Sequence, residues 1–316
     1  MSYRFQRDEP LPEGVRRIAK EQIDKALAEL DDYTLDVHTV VHQVRKRCKK
    51  LRGLLRIVRP HCEEAYQQSN AVLRDAARRL SAIRDATSSS ETFDDLTERL
   101  GDPLDNGAAG AISSILESRR CRIAQDGLSL ENGLSQMRTT LKRMRRQVPD
   151  WPVDELEFAA VVAGVEKTYG RGRAAMRAAR KQPTVARYHE WRKRVKYHWY
   201  HTRLLRDLWK PVMGVREDQL KMLADHLGDT HDLANLAETL RASADPLKNR
   251  DELEAVLGEI ELAVGEHLAP AQPLGKLLFA EKPKYLARRL RKYWNAWQQL
   301  DNAPQAPEEF SSLIEV

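Results

Sequence analysis

Residues 42–59, HQVRKRCKKLRGLLRIVR, decide the fold. Around this stretch Val37, Val41, Val44, Cys48, Leu51, Leu55 and Val58 recur at steps of four and three, the seam of a helix packed in a bundle. Arg45, Lys49, Arg52, Arg56 and Arg59 follow one residue later. They therefore form a cationic stripe about 100° around the helix from the seam and about 21 Å long at 1.5 Å per residue. Asp36 reads as the N-cap, and Pro60 coincides with the end of the run. Folding alone gives no reason for this stripe. Arg45–Lys49, Lys46–Lys50 and Arg52–Arg56 are like-charged i,i+4 pairs, each destabilising by roughly 0.2–0.5 kcal/mol.

The pattern occurs twice. HEWRKRVKYHWYHTRLLR, from His189, aligns with the first stretch at an offset of 147, and LGDTHDL from Leu227 meets LSAIRDA from Leu80 in the same register. A duplication is the simplest account. It divides the chain into halves 1–150 and 151–302, with 303–316 as a loosely attached tail rich in proline and acid. Further helices are expected over about 13–31, 62–85, 108–147, 153–181, 184–209, 214–241, 248–268 and 275–301, and no segment alternates as a strand would. The economical fold is all-α, a tandem repeat of two antiparallel four-helix bundles.

Composition agrees and narrows the class. Of 316 residues, 41% are apolar, 32% charged and 6% aromatic, which suits a helical protein of mild overall charge, +6. That total conceals segregation. Windows 42–59, 136–146, 169–181, 189–206 and 284–292 hold 29 of the 53 basic residues and one acid, Glu190. They carry +28 in 69 residues, against −22 over the other 247. An acidic body with concentrated basic strips makes a strong local field for an extended anion. The longest apolar run, 158–165, is too short to span a membrane, and the N-terminus offers no signal-peptide stretch, so a cytoplasmic location is expected. Cys48, Cys62 and Cys121 form no even disulfide set and no CxxC pair.

His42, Arg45, Lys49, Lys50 and Arg52 with the later Arg84–Asp85, and His189, Arg192, Lys193 and Lys196 with His231–Asp232, resemble the two half-signatures of the CHAD family, the conserved-histidine α-helical domain. The resemblance implies two four-helix bundles about a pseudo-twofold axis. Between them it implies a basic channel that binds inorganic polyphosphate, and in some members an association with polyphosphate granules. The stripes fit such a ligand, since a flexible chain of close-spaced charges needs lines of Lys and Arg and no base readout. His42, Arg45, Lys46, Lys49, Lys50, Arg52, Arg56 and Arg59 would then face His189, Arg192, Lys193, Lys196, Arg203 and Arg206. Lys142, Arg145, Arg171, Arg173, Arg288 and Arg291 would complete the walls, with Arg138 and Arg177 as further candidates.

Individual residues carry competing readings. His42 and His189 lie near the stripe face, where each imidazole either donates to a phosphate oxygen or bonds a neighbouring helix. No repeated carboxylate or imidazole at i+4 accompanies them, so neither a metal site nor a cofactor is expected. His231–Asp232 suggests a metal phosphohydrolase, but its counterpart is Arg84–Asp85 and an arginine cannot ligate a metal. Asp85 and Asp232 are therefore expected to be charge partners of stripe arginines or helix caps. Trp191 aligns with Val44 and Cys48 with Val195, both core positions, whereas Trp199 replaces Arg52 and breaks the second stripe. The expected function is non-catalytic polyphosphate binding. Nucleic-acid backbone binding and a polyphosphate-processing enzyme are the alternatives.

Overall fold

The computed structural model describes residues 3–100, 106–125, 127–243 and 250–300, and the tail expected at 303–316 lies outside them. Eleven α-helices and no strand occur among these residues. In chain order they are α1 (Leu11–Asp31), α2 (Val37–Val58), α3 (Glu63–Arg79), α4 (Ser81–Leu100), α5 (Asn106–Gln125), α6 (Gly127–Gln147), α7 (Phe158–Lys181), α8 (Val185–Leu204), α9 (Lys210–Ala242), α10 (Arg250–Leu278) and α11 (Pro283–Gln298). The chain is all-α. None of these helices is long and apolar enough to cross a membrane.

Helix α2 forms as its sequence dictates. The Asp36 carboxylate accepts from the His38 and Thr39 amides at 2.9 and 3.1 Å, satisfying two of the donors a helix start leaves open. Val41, Val44, Cys48, Leu51, Leu55 and Val58 are all buried. Helices α1 and α7 start 147 residues apart, and α2 and α8 start 148 apart. The expected helix 62–85 instead breaks at Leu80, where Ser81 Oγ bonds the Arg78 carbonyl at 2.6 Å and competes with the helical ladder. The corresponding second-half helix, α9, is unbroken. The expected helix 108–147 is covered by α5 and α6, and residue 126 between them lies outside the described residues.

Conversely, α10 runs through Pro270 and Pro273, where the sequence predicts a break. Buried Ala271 and the seating of Gly275 under Trp191 hold this length in the core; a Cβ at 275 would lie 2.4 Å from the indole. Trp191 itself is fully buried, as its alignment with Val44 implies.

Two apolar clusters organise the packing. The larger takes residues from α1, α2, α3, α6, α7, α8, the first half of α9, the end of α10 and α11, so it continues across residue 150. The smaller unites α4 and α5 with the end of α9 and the start of α10. At the centre α2 meets α8. A Cβ on Gly53 would stand 3.0 Å from Tyr200 Cβ, and Tyr200 is residue 53 plus 147. Contacts around this point are reciprocal. The Arg56 guanidinium lies 4.0 Å from the Tyr197 ring centre, while Arg203, at the position of Arg56, acts electrostatically on Lys50, at the position of Tyr197.

Gly164 on α7 lets α2 approach still more closely, since a Cβ there would fall 2.0 Å from the Ile57 carbonyl oxygen. Gly164→Ala is expected to destabilise the fold by roughly 1–3 kcal/mol or more, read as a lowered melting temperature. Gly110→Ala, on an open surface of α5, should be neutral or slightly stabilising.

Candidate anion-binding site

Where α2 and α8 come together, they bring positive charge from both halves into one place. Lys49 keeps solvent contact, yet its ammonium is pushed down to about 8. Burial contributes most, followed by repulsion from Arg192, Arg45, Lys196 and Arg84. Two of these four lie on α8, so the repulsion crosses between the halves. Lys196 is likewise lowered, mainly by burial, although Asp225 sits 3.6 Å away. Arg192 rests against Gly228, and its Nε is buried without a hydrogen-bond partner, as is Nε of Arg45. Burial and like charge both disfavour the charged forms of these side chains.

Histidines and aspartates surround this group in matching places. His42, an exposed residue, is lowered by burial and then by Arg84, Lys46 and Lys49. His189 is lowered by burial, Lys193 and Arg192, and its ring centre lies 4.2 Å from that of His231. His231, at the position of Arg84, is pushed down to about 4 by burial, His189, Arg192 and Lys49. Both His189 and His231 have a buried Nδ1 with no partner. Asp85 acts on Arg45, and Asp232 feels Arg192, Arg84 and Lys49 while burial raises it. The aspartates therefore lie as charge partners of stripe cations. Among the described residues no group of three or more His, Cys, Asp or Glu is arranged to hold a metal ion.

A second set of cations continues along α2. Arg52 Nε and Arg56 Nη2 donate to Asn70 Oδ1 at 3.0 and 3.4 Å, and Arg56 Nη1 donates to Tyr66 Oη at 2.7 Å. Arg59 pairs with Glu63 through two bonds of 2.6 and 2.5 Å. Arg171 of α7 is lowered by burial, Arg194, Arg59 and Arg56, so it belongs to this set. Arg203 of α8 and Arg206, in the 3-10 turn just after it, share the Glu217 carboxylate at 3.1 and 3.3 Å.

Of the other candidates, Lys46 and Lys193 act on His42 and His189 of the central group. Lys50 is buried, with its ammonium 5.6 Å from the Tyr3 ring centre, and is pushed down to about 8 by burial, Arg203 and further cations. Lys46 is exposed. Lys193 pairs with Glu190 at 2.6 Å. On α6, Arg138 and Arg145 pair with Asp31 and Asp24 of α1, and Lys142 is exposed on the same helix. Arg173 donates to the Ala280 carbonyl at 3.4 Å. Arg177, Arg288 and Arg291 are exposed, the latter two on α11, which packs on α7. Conversely, Arg194, Tyr66 and Asn70 join the assembled groups without having been singled out in the sequence, and Arg84 and His231, quoted there within the half-signatures, join them as well. The register of the duplication was the available signal, because it sets Arg84 and His231 in matching places beside His42 and His189.

A family model described as CHAD domain matches residues 17–241, well over half of the chain, from within α1 to the end of α9. Helices α10 and α11 lie beyond the match. A search of curated proteins returned no match.

The crowding of Lys49 has a thermodynamic consequence. Its folded pKa lies below the ordinary 10.5, so between about pH 8 and 10.5 the unfolded chain holds more protons at this site. Its contribution to stability therefore increases with pH in that window and is least below it. Lys49→Met, which removes the repelled charge and keeps the stem, is expected to raise the melting temperature at pH 7. The gain should be of the order of 1 kcal/mol after solvent screening, and it should shrink at pH 9.

Proposed function

The chain belongs to the CHAD domain family, and from that membership together with the opposed cations of α2 and α8 we propose that it binds inorganic polyphosphate without catalysing its reaction. The ligand would run in a channel enclosed by two duplicated helical units. The observation that carries this reading is the repulsion of Lys49 by Arg192, Arg45, Lys196 and Arg84. Cations from both halves meet there around a position that stays open to solvent. A linear polyanion relieves all of these repulsions at once, because each phosphate accepts charge-assisted bonds from more than one side chain. Arg45, Lys49, Arg192 and Lys196 would grip one stretch of the polymer, and Arg52, Arg56 and Arg171 the next. His42, His189 and His231, neutral in the free protein at pH 7, would gain protons as phosphate approaches. Residence in the cytoplasm and recruitment to polyphosphate granules follow as parts of this proposal.

The aromatic residues favour this polymer over a nucleic acid. Trp191 is buried, and half-buried Trp199 already has the cations of Lys196 and Arg203 at 5.1 Å from its ring centre, which compete with a base for its faces. The nearby carboxylates, Asp85, Asp225 and Asp232, each answer a lysine or arginine of the group.

Titration with polyphosphate of defined length at two ionic strengths tests the proposal. Affinity should fall steeply with salt as counterion release predicts, and Arg45→Glu with Lys49→Glu should weaken it strongly with helical content intact. Equal displacement by tRNA or duplex DNA at matched phosphate would overturn the choice of ligand. Orthophosphate release with Mg²⁺ or Mn²⁺ would overturn the non-catalytic reading. Affinity should also decline as pH rises from 7 to 9.5: free Lys49 loses its proton near 8, and the bound form holds it to higher pH. A flat profile would remove Lys49 from the contact.

A further inference from the structure

The two halves differ in the partners that decide how much of each stripe is available. At the offset of 147, Asn70 corresponds to Glu217, Arg56 to Arg203 and Arg59 to Arg206. Asn70 and Tyr66 are neutral acceptors, so they orient Arg52 and Arg56 while leaving both positive charges uncompensated. Glu217 is buried, and its two carboxylate oxygens reach Arg203 at 3.1 Å and Arg206 at 3.3 Å. It thus bridges two guanidinium groups as the non-bridging oxygens of a phosphate would. The counterpart of Arg52 is Trp199, which adds no charge and stands over Arg203.

We infer that Glu217 is an internal stand-in for phosphate that occupies Arg203 and Arg206 and confines the polyanion to Arg52, Arg56 and the central group of α2 and α8, Arg59 being held by its own carboxylate, Glu63. This rests on the polyphosphate reading and deepens it. The site is functionally one-sided despite its duplicated frame. A phosphate arriving at Arg203 and Arg206 has to displace a carboxylate already held there. One arriving at Arg52 and Arg56 meets no carboxylate bonded to them and keeps Asn70 as a neutral support. Residue 217 therefore sets the length of polymer engaged.

Exchanging the two positions tests this. Binding of a fluorescent polyphosphate of defined length would be followed by anisotropy at two salt concentrations, alongside thermal melting. Glu217→Asn, which installs the first-half residue, is expected to lower Kd by roughly tenfold and to steepen the salt dependence by about one to two powers. Asn70→Glu should raise Kd by a similar factor and flatten the salt dependence. An unchanged or weaker affinity in folded Glu217→Asn overturns the inference. If that variant does not fold, Asn70→Glu decides: a loss of affinity supports the stand-in and wild-type affinity overturns it. Failure of the unsubstituted protein to bind in a salt-dependent way overturns the polyphosphate reading and the inference with it; a bound wild type with unshifted variants overturns the inference alone.

Discussion

Everything in this structure depends on two like-charged helices being held against each other. Helices α2 and α8 repel along Lys49, Arg192 and Lys196, yet they touch at Gly53 and Tyr200. What holds them is the apolar seam on the other side of each helix and the core that continues through both halves. Close approach at Gly53, and at Gly164 of α7 against Ile57, keeps the helices near enough for their charges to interact. Hydrophobic burial is large and non-directional, so it can sustain an electrostatic penalty confined to a few side chains.

The recurrence at 147 residues accompanies this concentration of charge. The two helices that carry the recurring stretch lie against each other, and cations at equivalent positions, Arg45 with Arg192 and Lys49 with Lys196, converge on one place. The same symmetry multiplies supporting groups: Asp85 attends Arg45 as Asp232 attends Arg192, and Arg84 neighbours His42 as His231 neighbours His189. Departures from symmetry then stand out. Trp199 in place of Arg52 and Glu217 in place of Asn70 both reduce positive charge in the second half.

Much of the frame was legible in the sequence because helices announce themselves locally. The seam of α2, the Asp36 cap and the core place of Cys48 follow from short-range spacing, and the core place of Trp191 from its alignment with Val44 at the offset of 147. Other features depend on partners that spacing does not name. Pro270 and Pro273 stay helical because distant Trp191 packs over Gly275. The basic run of α6 looks like a channel wall until α1 supplies Asp24 and Asp31 to Arg145 and Arg138. Lys50 shares the stripe's composition, but its place on the helix sends it beneath Tyr3. A charge run fixes the sign of a surface; tertiary packing decides which members remain uncompensated.

The most direct test is an NMR titration of the Lys49 side-chain ammonium, assigned through Lys49→Arg, in the free protein and with polyphosphate. Convergence of cations from α2 and α8 predicts a midpoint near 8 in the free protein and a marked rise toward or above the ordinary 10.5 when the polymer binds. A free midpoint already at 10.5, unmoved by polyphosphate, would contradict the account.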